Sequence, residues 1–358
     1  MSATLSPPEW VAPAFQPIPF EPRRWLNNGH LQTIAGNFLP RHNSLPAGEK
    51  VLVEVAPATA DEPASQVLCL CHWQPEEVRA ARLTAILLHG LEGSSDSQYV
   101  VGNANKMWRA GMNVVRMNMR NCGGTETLSP TLYHSGLSAD VEAVAAMFTR
   151  RMGLGRTALV GYSMGGNLVL KLAGELGARA ANGNLCAVVG VSPAIDLGVS
   201  ADALHEPLNR LYERRFLMAL VKRFERKAAL RPDYYDLART QGLTSLRDFD
   251  DRVTAVYAGF TGADDYYFRA AAARVLSTIT VPTLILHALD DPFIRLTKET
   301  HAIISANRHI TLIETEHGGH CAFLADADKV RGDDGYWAES TALRFLQAHC
   351  EDASPSLR

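Results

Sequence analysis

A short glycine-rich stretch carries the side chain best suited to covalent catalysis in this sequence. Gly161-Tyr162-Ser163-Met164-Gly165 is a G-x-S-x-G pattern, with an apolar run before it and an apolar, helix-compatible run after it. Strand, tight turn and helix in that order hold a serine exposed in a strained backbone conformation. Side chains at positions 161 and 165 would collide with the neighbouring strand and helix. The pattern predicts Ser163 as a nucleophile, and the plainer alternative is a glycine-rich turn.

A serine nucleophile needs a base within hydrogen-bond reach. The stretch Glu316-His317-Gly318-Gly319-His320 follows the last predicted strand, and its glycines let the backbone turn so that a histidine faces the serine. His320 is the preferred base and His317 is the alternative. A capping or core histidine is the interpretation without catalysis.

The base in turn needs a carboxylate that orients it. Asp291 follows an apolar run that lies between the serine and the histidine in the chain, and it precedes Pro292. Asp291 is the preferred acid, and Asp290 competes with it. The alternative without catalysis is a helix N-cap followed by proline at the first helical position.

Attack by a serine on a carbonyl carbon also requires donors for the oxyanion. The main-chain N–H of Met164, directly after the nucleophile, is one candidate. The main-chain N–H of Leu91, in the loop after the apolar run 85–88, is the second. His89, which begins that loop, is interpreted as a buried residue that organises the loop and not as a second base.

The elements that must position these residues alternate between strand and helix. Helices are predicted at 98–110 and 138–152, and apolar runs predict about eight strands, at 51–55, 67–71, 85–88, 112–119, 158–160, 187–191, 283–287 and 309–313. Such alternation is typical of an α/β fold with a largely parallel sheet. Functional groups then lie on loops at the carboxyl ends of the strands.

The predicted organisation has three parts. Residues 1–50 form an arm that packs on the core, with a proline-rich start and a mixed polar and aromatic segment at 24–34. Residues 51–198 and 251–358 form the core, and residues 199–250 form a helical cap. Within the cap, the spacing of apolar residues predicts one helix at 208–231, with arginines and lysines on the face opposite the apolar residues. A solvated cationic face is the plain interpretation, and a peripheral contact with anionic lipid is the alternative.

The composition limits the classes of molecule that this chain is expected to bind. The net charge is −3 and the pI is about 6.5, so nucleic acid is not an expected partner. A small molecule is the expected partner. Cys69, Cys71 and His72 lack zinc-site spacing, and no phosphate-binding glycine loop is present, so no metal or cofactor is expected. We expect no signal peptide, no membrane-spanning run and reduced cysteines, hence a cytoplasmic location.

Together these motifs resemble the α/β-hydrolase superfamily, and more narrowly its YheT-like branch, AB hydrolase family four, which is related to the mammalian α/β-hydrolase-domain proteins one and three. The resemblance covers most of the chain. It rests on the segments 28–33, 89–94, 161–167, 263–267 and 318–320. This chain departs from the usual pattern at 67–71 and at Cys321-Ala322 after the histidine.

The resemblance implies an α/β-hydrolase fold with an eight-stranded, mostly parallel sheet and a helical cap. It also implies a cofactor-independent serine hydrolase with Ser163, Asp291 and His320 as catalytic triad. The implied substrates are short- to medium-chain acyl esters, with monoacylglycerols and phospholipids among the candidates. A thioesterase, amidase or acyltransferase using the same site is the nearest alternative, and a ligand-binding protein with a silent triad is the alternative from another class. The oligomeric state is not indicated.

Overall fold

The computed structural model of the chain describes residues 15–60, 62–182, 184–328 and 333–350. Part of the predicted proline-rich start, with Pro7, Pro8 and Pro13, lies outside the described residues. The last eight residues of the predicted core, 351–358, lie outside them too.

Within the described residues, eight strands form one sheet in the order β1-β2-β4-β3-β5-β6-β7-β8. Strand β2 is antiparallel to both of its neighbours, and the remaining pairs, from β4 to β8, are parallel. This confirms the predicted fold class. The strands are β1 (Glu49–Ala56), β2 (Ser65–His72), β3 (Thr84–Leu88), β4 (Asn113–Met117), β5 (Thr157–Tyr162), β6 (Leu185–Val191), β7 (Thr283–Ala288) and β8 (Ile310–Thr315).

The central strands are buried on both faces because helices cover both sides of the sheet. Alternate residues point to two separate apolar clusters, with Ile86 and Leu88 in one and Ala85 and Leu87 in the other. Every residue of β3, β4, β5 and β7 is buried. Continuous apolar runs in the sequence are therefore the signature of these strands.

Helices fill most of the connections. The α-helices are α1 (Gly29–Phe38), α2 (Glu76–Arg79), α3 (Gln98–Arg109), α4 (Ser138–Ala146), α5 (Met164–Leu176), α6 (Arg179–Asn182), α7 (Leu197–Leu204), α8 (Arg210–Leu230), α9 (Leu246–Phe249), α10 (Ala255–Ala258), α11 (Ala263–Ala270), α12 (Lys298–Ala306) and α13 (Trp337–Cys350). A π-helical turn, Met147–Arg151, continues α4, and another, Asp250–Thr254, joins α9 to α10. Short 3₁₀ segments lie at Pro207–Asn209, Leu237–Thr240, Ala272–Arg274 and Leu276–Thr278.

The chain between β6 and β7 is helical, and the predicted cap, 199–250, falls within it. Its longest element is α8, whose Leu220 and Phe224 are buried against the core. The expectation that all cations of this helix lie on a solvated face is wrong for Arg223 and Lys227. Both are buried, because Arg223 pairs with Glu92 and Lys227 donates to main-chain carbonyls of the loop before α4.

The expectation of reduced cysteines is wrong for one pair. Cys186 of β6 and Cys350 of α13 form a disulfide, because the strand and the helix pack together and place their Cα atoms 5.7 Å apart. The four other cysteines are buried free thiols. In the part of the chain that the structure describes, no helix is long and apolar enough to cross a membrane, and no cluster of histidine, cysteine and carboxylate side chains could hold a metal ion.

Candidate active site

Ser163 lies at the sharp turn between β5 and α5, as the glycine pattern predicts. Its backbone has φ 54° and ψ −118°, a conformation that costs a non-glycine residue free energy. Neighbouring elements hold it there: its N–H donates to the Val191 carbonyl at 2.9 Å, and its carbonyl accepts from Asn167 at 3.1 Å and Ala194 at 3.2 Å. The strain is therefore supported by β6 and by the first turn of α5.

The glycines beside Ser163 are required by close backbone contacts. A Cβ at Gly161 would lie 2.2 Å from the Gly165 carbonyl oxygen, and a Cβ at Gly165 would lie 2.4 Å from the His89 carbonyl oxygen. Both distances are well inside van der Waals contact. The predicted collisions at positions 161 and 165 are confirmed.

His320 and Asp291 form a hydrogen-bonded pair at the same edge of the sheet. His320 Nδ1 lies 2.9 Å from Asp291 Oδ2, and the other oxygen, Asp291 Oδ1, accepts from the main-chain N–H of Phe293 at 3.1 Å and of Ile294 at 3.0 Å. The Asp291 side chain is fully buried and that of His320 is 11% exposed. These contacts fix the carboxylate and leave His320 Nε2 as the ring nitrogen that remains for the cavity.

The two side chains shift each other's pKa. Burial by itself raises the pKa of Asp291, but the charge and hydrogen bond of His320 outweigh it and bring this pKa below its ordinary value. Burial by itself lowers the pKa of His320, but the neighbouring Cys321 and the Asp291 carboxylate outweigh it, so this pKa lies above its ordinary value. The pair favours an ionised aspartate and a basic imidazole.

Asp290 and His317, the alternatives for acid and base, form a separate pair. His317 Nδ1 lies 3.3 Å from Asp290 Oδ2, and Asp290 Oδ1 accepts from the Gly319 N–H at 2.9 Å. Neither side chain lines a cavity that contains Ser163. Asp290 therefore holds the backbone of the loop that carries His320.

The N-terminal arm supports the histidine loop from the other side. Thr33 Oγ1 accepts from the His320 N–H at 2.8 Å and donates to the Gly29 carbonyl at 2.6 Å. The Gln32 side chain is fully buried, donates to the Leu324 carbonyl and accepts from the Leu324 N–H. Sequence reasoning left this arm without a role beyond packing. The signal that could have found it is the run of polar residues at 27–33, which would be unusual on an arm that packs by apolar contact alone.

The two predicted oxyanion donors come from different elements, Leu91 from the loop after β3 and Met164 from the start of α5. Leu91 lines both cavities that contain Ser163, and Met164 lines one of them. Neither main-chain N–H has a hydrogen-bond acceptor among the described residues. His89 organises the loop: it is fully buried, with Nδ1 2.8 Å from the Gly90 carbonyl oxygen and Nε2 accepting from the Met119 N–H at 3.1 Å. Burial lowers the pKa of His89 to about 4, so it is neutral at pH 7.

A buried ion pair ties the same loop to the cap. The Arg223 guanidinium makes two hydrogen bonds to the Glu92 carboxylate, at 2.8 and 3.1 Å, and the Tyr133 hydroxyl donates to Glu92 at 2.6 Å. Glu92 directly follows Leu91 and itself has a positive φ of 57°. Sequence reasoning missed this contact because the two residues are 131 positions apart. The ion pair fixes the position of the Leu91 amide relative to α8.

Two cavities meet at Ser163. The first, here called the cap cavity, has a volume of about 110 Å³ and is mostly apolar, lined by Leu197, Leu220, Phe224, Phe249 and Ile294 among others. Its buried carboxyl, Asp250, accepts from Thr254 and Tyr267, and burial raises its pKa to about 6. The second, here called the entrance cavity, has a volume of about 420 Å³, includes His320, and is lined by more polar groups from α1, the loop after β3 and α8.

A strained serine, a histidine and a buried aspartate at the carboxyl edge of a mostly parallel sheet define a hydrolase of the α/β type. Comparison with known proteins agrees. The alpha/beta hydrolase fold family model matches residues 86–327, and the chain belongs to that family.

Relatives and a solved structure extend this result. YheT of Escherichia coli K12, whose name describes a suspected esterase, is 31% identical over 85% of this chain and 87% of its own. The phospholipase ABHD3 of Mus musculus is 30% identical over 68% of this chain, which spans only 59% of that relative. The esterase Pf2001 of Pyrococcus furiosus superimposes with a TM-score of 0.54 at 16% identity, covering 87% of this chain and 97% of its own, and shows the shared fold. The predicted YheT-like branch and the predicted class of enzyme, a hydrolase, are confirmed.

Proposed function

We propose that this chain hydrolyses carboxylic esters, with Ser163 as nucleophile, His320 as general base and Asp291 as the orienting acid. One observation carries the proposal. Ser163 and His320 line the same cavity, and His320 Nδ1 is held 2.9 Å from the fully buried Asp291 carboxylate. That arrangement is the one a serine needs to become a nucleophile at neutral pH.

The reaction has two halves. Ser163 Oγ attacks the acyl carbon while His320 Nε2 takes the hydroxyl proton, and the main-chain N–H groups of Leu91 and Met164 donate to the oxyanion. His320 then gives the proton to the leaving alcohol, which departs and leaves an acyl-serine. Water attacks this ester with His320 again as base, and the carboxylic acid leaves as Ser163 recovers its proton. Asp291 stabilises the imidazolium in both halves.

The two cavities suggest how an ester is divided. The cap cavity is small, lined by residues of α7, α8 and α9 and mostly apolar, so it suits a short- to medium-chain acyl group. The entrance cavity is larger and more polar, so it suits the alcohol part, including a glycerol or a phosphate-bearing group. The names of the relatives, an esterase and a phospholipase, support this class of substrate. We also propose a cytoplasmic location. The four free thiols support it and the Cys186–Cys350 disulfide argues against it, so cell fractionation is the test.

Hydrolysis of p-nitrophenyl esters of increasing chain length tests the proposal. The wild-type chain should hydrolyse the butyrate, and Ser163→Ala should fall to the background rate with its circular dichroism unchanged. Ser305→Ala is the matched control, because Ser305 is exposed on α12 and lines neither cavity. Retention of most of the rate by Ser163→Ala would contradict the assignment.

A further inference from the structure

Helix α1 exposes its large apolar side chains and buries a glutamine and two glycines. Leu31, Ile34 and Phe38 are 50%, 47% and 69% exposed, and their spacing of three and four residues puts them on one face. The opposite face carries Gln32 and Gly36, which are buried against the histidine loop and its continuation. This is the reverse of an ordinary surface helix, whose apolar stripe faces the core.

The start of the cap continues this apolar surface. Leu208 and Leu211 are 81% and 79% exposed, and Met218, two turns further along α8, is 62% exposed. The two helices touch, since His30 Nδ1 of α1 lies 3.2 Å from the Tyr212 hydroxyl of α8. The docking surface is therefore defined by Leu31, Ile34, Phe38, Leu208, Leu211 and Met218.

Cations accompany the exposed apolar residues on α8. In its first half and centre, α8 carries four exposed cations, Arg210, Arg214, Arg215 and Lys222. None of the four makes an ion pair in the described part of the chain. The whole chain has a net charge of −3, so this positive charge is local to the surface. Unpaired cations beside exposed aliphatic side chains match the two layers of an anionic lipid surface, headgroups and acyl chains.

The docking surface borders the entrance cavity. Ile34 and Phe38 of α1 and Arg215 of α8 line the entrance cavity, which reaches Ser163 and His320. A membrane on this surface would therefore lie beside the cavity that contains Ser163 and His320.

We propose that this surface docks on an anionic lipid bilayer, with its apolar side chains among the acyl chains and its cations at the headgroups. A second copy of the chain fits less well, because a two-fold contact would bring the same unpaired cations together. Docking depends on the surface alone. Delivery of an ester from the bilayer to Ser163 rests in addition on the proposed function.

Vesicle co-sedimentation with matched variants tests the proposal. The charge variant is Arg210→Gln, Arg214→Gln and Lys222→Gln together, and its control is Arg82→Gln, Arg109→Gln and Arg151→Gln, three exposed cations at the opposite edge of the sheet. The apolar variant is Leu31→Ser, Leu211→Ser and Met218→Ser, and its control is Leu52→Ser, Val78→Ser and Val256→Ser, which are exposed elsewhere. None of these residues lines a cavity that contains Ser163.

The wild-type chain should bind phosphatidylcholine vesicles that contain phosphatidylglycerol, and bind pure phosphatidylcholine vesicles more weakly. The charge variant and the apolar variant should each bind the anionic vesicles about tenfold more weakly, or weaker still. The control of each variant should bind like wild type. Hydrolysis of soluble p-nitrophenyl butyrate should be unchanged in all four, so vesicle binding without hydrolysis would sink only the proposed function. Three results would overturn the docking proposal. They are an equal loss of vesicle binding in the variants and their controls, no binding of the wild-type chain to anionic vesicles at low salt, and a wild-type dimer that the apolar variant dissociates.

Discussion

Replacement of Asp291 by asparagine should reverse the proton arrangement on His320. Asp291 Oδ1 accepts from the main-chain N–H groups of Phe293 and Ile294, so the asparagine carbonyl oxygen takes that side. The asparagine NH₂ group then faces His320 Nδ1 across the 2.9 Å contact. Because NH₂ is a donor, Nδ1 must become the acceptor and the ring proton moves to Nε2. An imidazole with its proton on Nε2 cannot accept the proton of Ser163.

The expected cost is large. The same change in Ser-His-Asp sites lowers kcat about 10⁴-fold, which corresponds to about 5.4 kcal/mol in the barrier. The loss of the Asp291 charge should also lower the pKa of His320, because that charge is among the causes that raise it. The residual rate should therefore reach half its maximum at a lower pH than the wild-type rate.

The assay is kcat for p-nitrophenyl butyrate across a pH series, with circular dichroism as the check on folding. Asp290→Asn is the control, because Asp290 contacts His317 and the Gly319 N–H and lines no cavity with Ser163. It should lose less than about tenfold, since a neutral oxygen can still accept from Gly319. The assigned acid is wrong if Asp291→Asn keeps more than a tenth of the wild-type kcat. It is also wrong if Asp290→Asn loses more of its kcat than Asp291→Asn does.

Three further predictions concern the base, the loop and the cap cavity. The wild-type rate should rise with pH to a half-maximum above 6.5, because the base must be neutral and the pKa of His320 is raised; a half-maximum at or below 6.5 contradicts this. Arg223→Met should lower the free energy of unfolding in urea by about 3 kcal/mol and should also lower kcat, because it leaves the Glu92 carboxylate buried without its cation. The control is Arg226→Met, which should lower the free energy of unfolding by less than about 1 kcal/mol because the Arg226 side chain is 46% exposed. Ala201→Leu, which narrows the cap cavity, should lower kcat/KM for p-nitrophenyl octanoate about tenfold more than for the acetate, and an equal effect on both would argue against this cavity as the acyl site.

Local sequence was enough to predict the frame of the site. Apolar runs give the buried strands, because a strand covered on both faces needs no polar residue. The glycines at 161 and 165 give the turn, because only glycine fits beside the backbone atoms that they face. The structure brings Ser163, Asp291 and His320 to one edge of the sheet, and their chemical roles remain predictions.

Contacts between distant residues could not be predicted in this way. Helical periodicity shows which residues of α8 share a face, but it cannot show that Arg223 has a buried carboxylate opposite and that Arg226 reaches only a surface one. Thr33 and His320 are 287 positions apart, and Cys186 and Cys350 are 164 apart, so no local pattern links them. The exposed apolar face of α1 was missed for the same reason, since its orientation is set by the histidine loop.

The central claim is that Ser163 is a nucleophile activated by His320, and covalent labelling tests it most directly. A fluorophosphonate probe should react with the folded wild-type chain, and peptide mapping by mass spectrometry should place the label on Ser163. Candidate esters should compete with it, and His320→Ala should react far more slowly. A label on another residue, or no label on folded protein, would contradict the account.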